Sequence, residues 1–294
     1  MGNLKEIRNR IGSIKNTRKI TQAMGRIASA RLFRAQQAVI AARPYAARLA
    51  DVMQALTAAV DDTVHPLMTA RPVVRNVGLI LVSADRGLCG GFNANVTKAA
   101  LNLIAREKAE DRDLRVITVG KRGAASLGYN GIDVDYKHVV PSHDNITDTV
   151  KAVAAEATGL FLPLDRSEPK VDVVYLLFNF FKNALTQEVT EVQLLPFAPG
   201  ESDPDSAPIE PVFEPDRAGL LAHLLPVALE SQIQTALLNS ISSELAARRA
   251  AMNSATDNAS EMINDLTLQF NRERQAAITT ELMEIIGGSE ALKG

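Results

Sequence analysis

Apolar residues recur at alternating intervals of three and four near the start of the chain, which is the heptad pattern of a coiled coil. Fourteen of seventeen successive positions in this series are apolar, and no proline occurs before Pro44. The pattern predicts one helix over residues 1–60, about 80 Å long at the usual rise per residue. The seam positions are Leu4, Ile7, Ile11, Ile14, Arg18, Thr21, Gly25, Ala28, Leu32, Ala35, Val39, Ala42, Ala46, Leu49, Met53, Leu56 and Val60.

A second long helix is predicted near the other end of the chain, over residues 220–286, and it leaves a short tail over residues 287–294. After Gly219 no glycine occurs before Gly287, and after Pro226 no proline occurs at all. Beyond Pro226, near its start, this stretch therefore contains no residue that interrupts a helix. The seam consists of Leu238, Ile241, Leu245, Arg248, Met252, Ala255, Ala259, Met262 and Leu266, after which the register slips toward Phe270, Ile278 and Leu282.

Two long helices that each carry an apolar stripe need partners of similar length. The simplest arrangement is an antiparallel coiled coil within one chain. Pairing of each helix with its own copy in a homodimer is the alternative, and the sequence leaves it open. Residues 236–260 contain seven alanines and five serines and no glycine or proline, so we expect a thin helix pair that other proteins can enclose closely.

The middle of the chain, residues 75–195, has a different pattern. Short β-branched runs alternate with helical stretches, which indicates an α/β domain with a mainly parallel sheet. A last strand over residues 186–194 alternates more openly, as an edge or antiparallel strand does. The other predicted strands are residues 77–82, 116–119, 134–140 and 171–178, and the helices are residues 94–108, 122–127 and 144–160.

The predicted fold is therefore α/β plus a long antiparallel coiled coil, in which the N- and C-terminal helices pair and a Rossmann-like central domain is inserted between them. Residues 196–219 are rich in proline and acidic residues. They are predicted to form the loop that returns the chain from the domain to the coiled coil.

Charge is distributed very unevenly. The formal net charge is only -2, but residues 1–50 hold eleven basic residues and one acidic residue, Glu6, a local charge of +10. The remainder of the chain carries -12. A coiled coil exposed only to water normally interleaves both signs, so this asymmetry favours an acidic partner.

Composition excludes several classes of protein. No apolar run reaches 18 residues, so no transmembrane helix is predicted. The single cysteine, Cys89, cannot form an intramolecular disulfide, and the amino end lacks the apolar core of a secretory signal. Nucleic-acid binding is not expected, because the aromatic interleaving that stacks bases is missing from the basic segment.

Candidate chemistry is sparse. The loop over residues 83–93 lies between a strand and a helix, where an α/β fold binds phosphate. It lacks the lysine and hydroxyl of a phosphate-binding loop and the G-x-G-x-x-G pattern, so we interpret it as a tight structural turn. Cys89 is interpreted as a small buried thiol, and the four histidines have no metal-ligand spacing. No catalytic residue, cofactor or metal site is predicted.

Three separate blocks carry a resemblance to a known family. They are residues 15–24 (KNTRKITQAM), residues 85–93 (DRGLCGGFN), and residues 255–259 (ATDNA) with 271–284 (NRERQAAITTELME). In this order they resemble the gamma subunit of F-type ATP synthases, and the likeness spans the whole chain. The last block is close to the family signature [IV]-T-x-E-x-x-[DE]-x-x-x-G-A, except that Ser289 stands where alanine is expected.

The resemblance implies a function without catalysis in this chain. The gamma subunit is the central rotor shaft, which transmits torque between the c-ring in the membrane and the catalytic hexamer of alpha and beta subunits. It couples ion translocation to ATP synthesis or hydrolysis. The implied partners are the alpha, beta and epsilon subunits and the c-ring. The implied location is peripheral, on the cytoplasmic side of the bacterial inner membrane, which the chain reaches only through the complex.

The resemblance also implies an interface between the rotor and the stator. Met24, Arg26, Arg31 and Arg34 are expected to face acidic loops of the beta subunits. The carboxyl-terminal interface residues are Arg274, Gln275, Thr279, Glu281, Ile285 and Ile286, the last two in an apolar collar. Arg26 and Arg249 stand where methionine is usual in the family. An alternative function is a basic coiled-coil adaptor that binds an acidic protein or RNA.

Overall fold

The computed structural model describes residues 2–57, 65–142, 145–162, 170–197 and 217–291. They form two compact units: unit 1 comprises Met1–Ser29 and Arg248–Gly294, and unit 2 comprises Ala30–Ala247. Two long helices, α1 (Gly2–Thr57) and α5 (Arg217–Ala291), each contribute to both units. The predicted terminal helices are therefore confirmed.

In unit 1 the two helices pair antiparallel. Thr21 contacts Thr256, and the Cα of Gly25 faces Met252 and Asn253, so residue numbers rise along α1 as they fall along α5. Every described seam position of α1 is buried or half-buried, as the heptad pattern predicts. The two helices therefore pair with each other within one chain, and not each with its own copy in a homodimer.

The predicted seam of α5 is wrong at Met262. This side chain is 55% exposed, whereas Ile263 is 7% exposed. With Thr256 and Ala259 facing α1, the next inward position four residues on is Ile263, and Leu266 and Phe270 follow it as half-buried residues. Ile278 and Leu282 are exposed, because they lie beyond the level that the start of α1 reaches.

Unit 2 contains a five-stranded sheet of order β3-β2-β1-β4-β5. The strands are β1 (Asn76–Val82), β2 (Asp113–Val119), β3 (Tyr136–His138), β4 (Val173–Phe181) and β5 (Gln187–Leu195). The first four are parallel, and β5 runs antiparallel to β4 at one edge. Three shorter helices complete the domain: α2 (Phe92–Ala109), α3 (Lys121–Tyr129) and α4 (Ile146–Phe161).

The core of unit 2 occupies both faces of this sheet. Leu79 and Leu81 of β1 pack against α2 and α3, whereas Ile80 and Val82 belong to the cluster that includes α4 and the unit 2 parts of α1 and α5. Alternate residues of a strand point to opposite faces, so the nearly continuous apolar run of β1 is explained by burial on both sides. Leu32 of α1 also packs against Leu245 of α5 within this unit.

Three predicted boundaries differ from the structure. The strand over residues 134–140 is only Tyr136–His138, because the backbone N–H of Val140 donates to Asp85 instead of continuing the ladder. The tail over residues 287–294 is helical as far as Ala291, since glycine costs a helix only about 1 kcal/mol. Most of the loop over residues 196–219 lies outside the described residues, and α5 begins at Arg217.

Candidate functional site

Ten of the eleven basic residues of α1 are exposed, and Arg18 in the seam is half-buried. Arg26, Arg31 and Arg34 are exposed, and Met24 is half-buried. Among the described residues only one basic side chain of α1, Arg48, forms an ion pair, to Asp51 at 3.5 Å. Most of the +10 charge is therefore available to an external acidic group.

The seam explains why these arginines face outward. Between Met24 and Arg34 the buried positions are Gly25 and Ala28 of unit 1 and Leu32 of unit 2. Arg26, Arg31 and Arg34 lie between or beside seam positions, on the opposite side of the helix. Met24 and Arg26 belong to unit 1, whereas Arg31 and Arg34 belong to unit 2.

The carboxyl-terminal part of α5 in unit 1 is an exposed mixed surface. Arg274, Gln275, Thr279 and Glu281 are all exposed, and the Thr279 hydroxyl donates to the Gln275 carbonyl of its own helix at 2.9 Å. Large apolar side chains lie beside them. Single exposed apolar residues are common on protein surfaces, but a contiguous set of them marks a binding surface. These side chains are Ile278, Leu282, Met283, Ile285 and Ile286.

The loop over residues 83–93 is a structural turn, and Asp85 organises it. One carboxylate oxygen of Asp85 accepts the backbone N–H of Lys121 at the start of α3 at 3.0 Å. The other accepts the N–H of Val140 at 3.2 Å. The Asp85 carboxylate thus lies at the N-terminus of α3, a position that favours negative charge.

Gly120 is required where β2 joins α3. Its φ is +110°, and a Cβ built there would lie within 2.5 Å of the Ser83 carbonyl oxygen. We expect Gly120→Ala to lower the free energy of unfolding by about 2 kcal/mol, from backbone strain and the close contact, measured by urea denaturation. Gly128→Ala is the matched control: it lies in α3 with open space around it, and we expect no loss of stability there. Equal effects of both substitutions would contradict this account of Gly120.

Leu88 in the same loop is a residue that sequence reasoning missed. Its φ is +63°, a conformation that favours glycine, and its side chain is 64% exposed. A strained, exposed leucine held on a loop tied down by Asp85 is a candidate contact residue. Only Gly87, Gly90 and Gly91 nearby hint at unusual backbone. Cys89, next to it, is 1% exposed, which confirms the buried thiol.

The carboxylates whose pKa is shifted lie in structural positions. Burial would raise the pKa of Glu107, but Arg106 and Arg112, whose guanidinium groups lie 2.8 and 2.6 Å from its oxygens, outweigh that effect and lower it. This cluster joins the end of α2 to the sheet, where Arg106 also reaches Glu191. Across the described ranges no group of three or more His, Cys, Asp or Glu residues could hold a metal ion. None of the helices in those ranges is long and apolar enough to span a membrane.

Comparisons with known proteins cover the whole chain. The model of the ATP synthase family matches residues 3–292. The chain is 46% identical over 300 residues to the ATP synthase gamma chain of Geobacter sp. (strain M21), covering 100% of both chains. It is 44% identical over 299 residues to the ATP synthase gamma chain of Heliobacterium modesticaldum, covering 99% of this chain and 100% of the relative.

Solved structures share the fold. A chain of the Euglena gracilis mitochondrial ATP synthase (OSCP/F1/c-ring, rotational state 3) matches with a TM-score of 0.70 and 17% identity, over 99% of this chain and 95% of that one. A chain of the central stalk and c-ring of the Tetrahymena thermophila mitochondrial ATP synthase matches with a TM-score of 0.61 and 22% identity, over 80% and 99%.

Proposed function

The chain belongs to the gamma-chain family of ATP synthases, and from that membership we propose that it is the central rotor shaft of an F-type ATP synthase. The observation that carries the proposal is full-length similarity to gamma chains, joined to a pair of long terminal helices. The shaft transmits torque between the c-ring and the alpha/beta hexamer and so couples ion translocation to ATP synthesis or hydrolysis.

The proposed partners are the alpha/beta hexamer, the epsilon subunit and the c-ring. Support comes from related assemblies, in which chains of the same fold belong to structures described as F1/c-ring and central stalk/c-ring. The chain is proposed to reach the membrane only through this complex, at the cytoplasmic face of the bacterial inner membrane. Its role is mechanical: we propose that catalysis occurs in the hexamer and that this subunit makes no bond.

The exposed arginines are the proposed contacts with acidic stator loops. Arg26, Arg31 and Arg34, with Met24 beside them, lie on an outward face of α1 whose basic charge is almost unmatched within the described chain. Partly exposed Arg–carboxylate contacts are worth about 0 to 1 kcal/mol each. Several such contacts can therefore attract each stator loop in turn without holding the rotor in one orientation.

The carboxyl-terminal end of α5 is the proposed upper bearing. Arg274, Gln275, Thr279 and Glu281 supply polar contacts there, and Ile285 and Ile286 supply an apolar collar. Both isoleucines are more than half exposed, so their burial by the hexamer would be favourable at roughly 25 cal/mol per Å² of apolar surface.

Co-purification tests the proposed function. A tagged chain expressed with alpha and beta subunits should elute with the hexamer and confer Mg-ATP hydrolysis on it. A basic adaptor would instead retain RNA or an unrelated acidic protein and leave the hexamer in the flow-through. The full-length gamma-chain similarity accounts for the same basic residues, so nothing favours the adaptor.

Deletion of Ile285–Gly294 is expected to weaken the upper bearing and to leave unit 2 folded, because the removed residues belong to unit 1. The measurements are ATP-driven rotation or hydrolysis of the complex, and circular dichroism of the full chain. The helical signal should fall only by the share of the deleted residues. Collapse of the unfolding transition of the α/β domain would contradict the division into two units.

A further inference from the structure

A hydrogen bond between two side chains joins the helices of unit 1. The hydroxyl oxygens of Thr21 in α1 and Thr256 in α5 lie 2.8 Å apart. Thr21 is only 8% exposed, and Thr256 is half-buried. Both occupy the contact between the helices, where most other positions of an antiparallel coiled coil are apolar.

Neither hydroxyl depends on the other for a partner. Thr21 Oγ1 lies 3.0 Å from the Arg18 carbonyl oxygen, and Thr256 Oγ1 lies 2.8 Å from the Met252 carbonyl oxygen. Each hydroxyl has one hydrogen to donate, and there are three contacts: one between the two hydroxyls and one to each carbonyl oxygen. One hydroxyl therefore donates to the other, which can donate to the carbonyl of its own helix. Separating the helices would leave each hydroxyl with a partner on its own helix, so the pair contributes only the modest net stability of one cross-helix hydrogen bond.

The small seam residues on either side of this pair discriminate poorly between alignments of the two helices. Gly25, Ala28, Ala255 and Ala259 are buried or half-buried seam positions, and a Cβ at Gly25 would lie 3.5 Å from the Met252 Cβ. Small side chains form shallow knobs and holes, so a displacement by one heptad would change their packing little.

The threonine pair does discriminate. A displacement of one heptad that brings Gly25 opposite Ala259 would place Thr21 opposite Ile263 and Thr256 opposite Ala28. The cross-helix hydrogen bond is then lost, and the Thr21 hydroxyl lies against an apolar side chain. A buried polar contact of this kind costs stability relative to apolar packing but specifies one alignment.

We propose that the Thr21–Thr256 hydroxyl pair favours the native axial register of the two helices in unit 1 over neighbouring ones. It is a positioning device: it keeps the small-residue contacts at Gly25 and Met252 aligned, and with them the outward placement of Met24 and Arg26 along α1. The pair concerns contacts within this chain and holds whether or not the proposed partners are correct.

Cysteine cross-linking of the full chain reads the register directly. In a Cys89→Ser background, Gly25→Cys with Met252→Cys reports the native alignment, because the Cβ separation of 3.5 Å suits a disulfide. Gly25→Cys with Ala259→Cys reports the displaced one. With both threonines present, the first pair should oxidise readily and the second poorly.

The double variant Thr21→Val/Thr256→Val should raise the displaced disulfide roughly 2- to 10-fold, the population change that corresponds to one hydrogen bond. Its thermal midpoint should stay the same or rise. The single variant Thr21→Val should raise the displaced disulfide as well, and Thr21→Ser/Thr256→Ser should restore the native pattern.

Thr17→Val is the matched control, because this exposed threonine donates only to the Ser13 carbonyl of its own helix, and it should leave both disulfides unchanged. The proposal is overturned if the valine variants yield no more displaced disulfide than Thr17→Val does. A lowered thermal midpoint with an unchanged register would equally overturn it, since that result describes a stabilising contact only.

Discussion

Replacing Asp172 with alanine is expected to lower the free energy of unfolding by about 3–5 kcal/mol, the range for removing one partner of a buried ion pair. Asp172 precedes β4 and is 8% exposed. One of its carboxylate oxygens pairs with the Arg71 guanidinium at 2.5 Å, and the other accepts the backbone N–H groups of Arg75 and Asn76, both at 2.8 Å. Urea denaturation of the purified chain measures the loss.

The reason for so large an effect is that one carboxylate satisfies several groups at once. Arg71 also donates to the carbonyl oxygens of Phe161 and Val171 and lies over the Phe161 ring. Without Asp172, the guanidinium would remain half-enclosed without its counter-charge, and two backbone N–H groups at the start of β1 would lose their acceptor. The control is Asp51→Ala, which removes an exposed ion pair of 3.5 Å and should cost no more than about 0.5 kcal/mol.

The same carboxylate makes stability depend on pH. Burial would raise the pKa of Asp172, but the hydrogen bonds from Arg71, Arg75 and Asn76 outweigh burial and hold the pKa below its ordinary value. A carboxyl group whose pKa is lower in the folded state stabilises the fold fully above its unfolded pKa. That contribution is lost as the pH falls through the folded pKa. Asp172→Asn should flatten the acid limb of the stability curve, and an unchanged acid limb would contradict the assignment.

Charge reversal at two exposed arginines is expected to give the largest effect on function. In the complex that contains Arg31→Glu/Arg34→Glu, ATP hydrolysis should continue while ATP-driven ion pumping falls several-fold. Reversal would turn two proposed attractions of about 0 to 1 kcal/mol each into repulsion from the proposed acidic stator loops. The shaft should still assemble, since neither side chain belongs to the buried seam. The measurement is the ratio of pumping to hydrolysis in membrane vesicles.

The control for charge itself is Lys98→Glu/Lys151→Glu, which reverses two exposed lysines on α2 and α4 of the α/β domain. It changes net charge by the same amount and should leave the pumping ratio near that of the unmodified complex. Equal ratios for the two double variants would remove Arg31 and Arg34 from the proposed interface. If only the arginine variant failed to assemble, Arg31 and Arg34 would be assigned to binding of the hexamer rather than to the coupling of hydrolysis to pumping.

The periodicity of apolar residues along the chain predicted most of the fold. The heptad series of α1 correctly placed every described seam residue, because a coiled coil repeats the same local environment along its length. The β-branched runs located the strands for a similar reason, since β1 is buried on both faces of the sheet. The exposed basic face of α1 could also be predicted from the sequence. An excess of ten positive charges over fifty residues leaves few acidic residues nearby for them to pair with.

Features that depend on a single neighbour far away in the sequence could not be predicted from the sequence. Met262 and Ile263 are both apolar and adjacent, and only the level at which α1 meets α5 makes Ile263 the buried one. The role of Asp172 arises from Arg71, which lies about one hundred positions earlier in the chain. Leu88 acquires its positive φ in a loop that Asp85 ties to α3 and to the residues after β3.

The sequence by itself therefore determined the two long helices, the α/β domain between them and the basic outward face. Through three blocks that resemble the gamma subunit it also indicated the family. The tertiary structure alone decided the final register of α5, the order of the strands in the sheet and the Thr21–Thr256 contact. The physical reason is the distance along the sequence over which each feature is set. Helical and strand periodicity act over a few residues, whereas register and side-chain pairing are set by groups that only folding brings together.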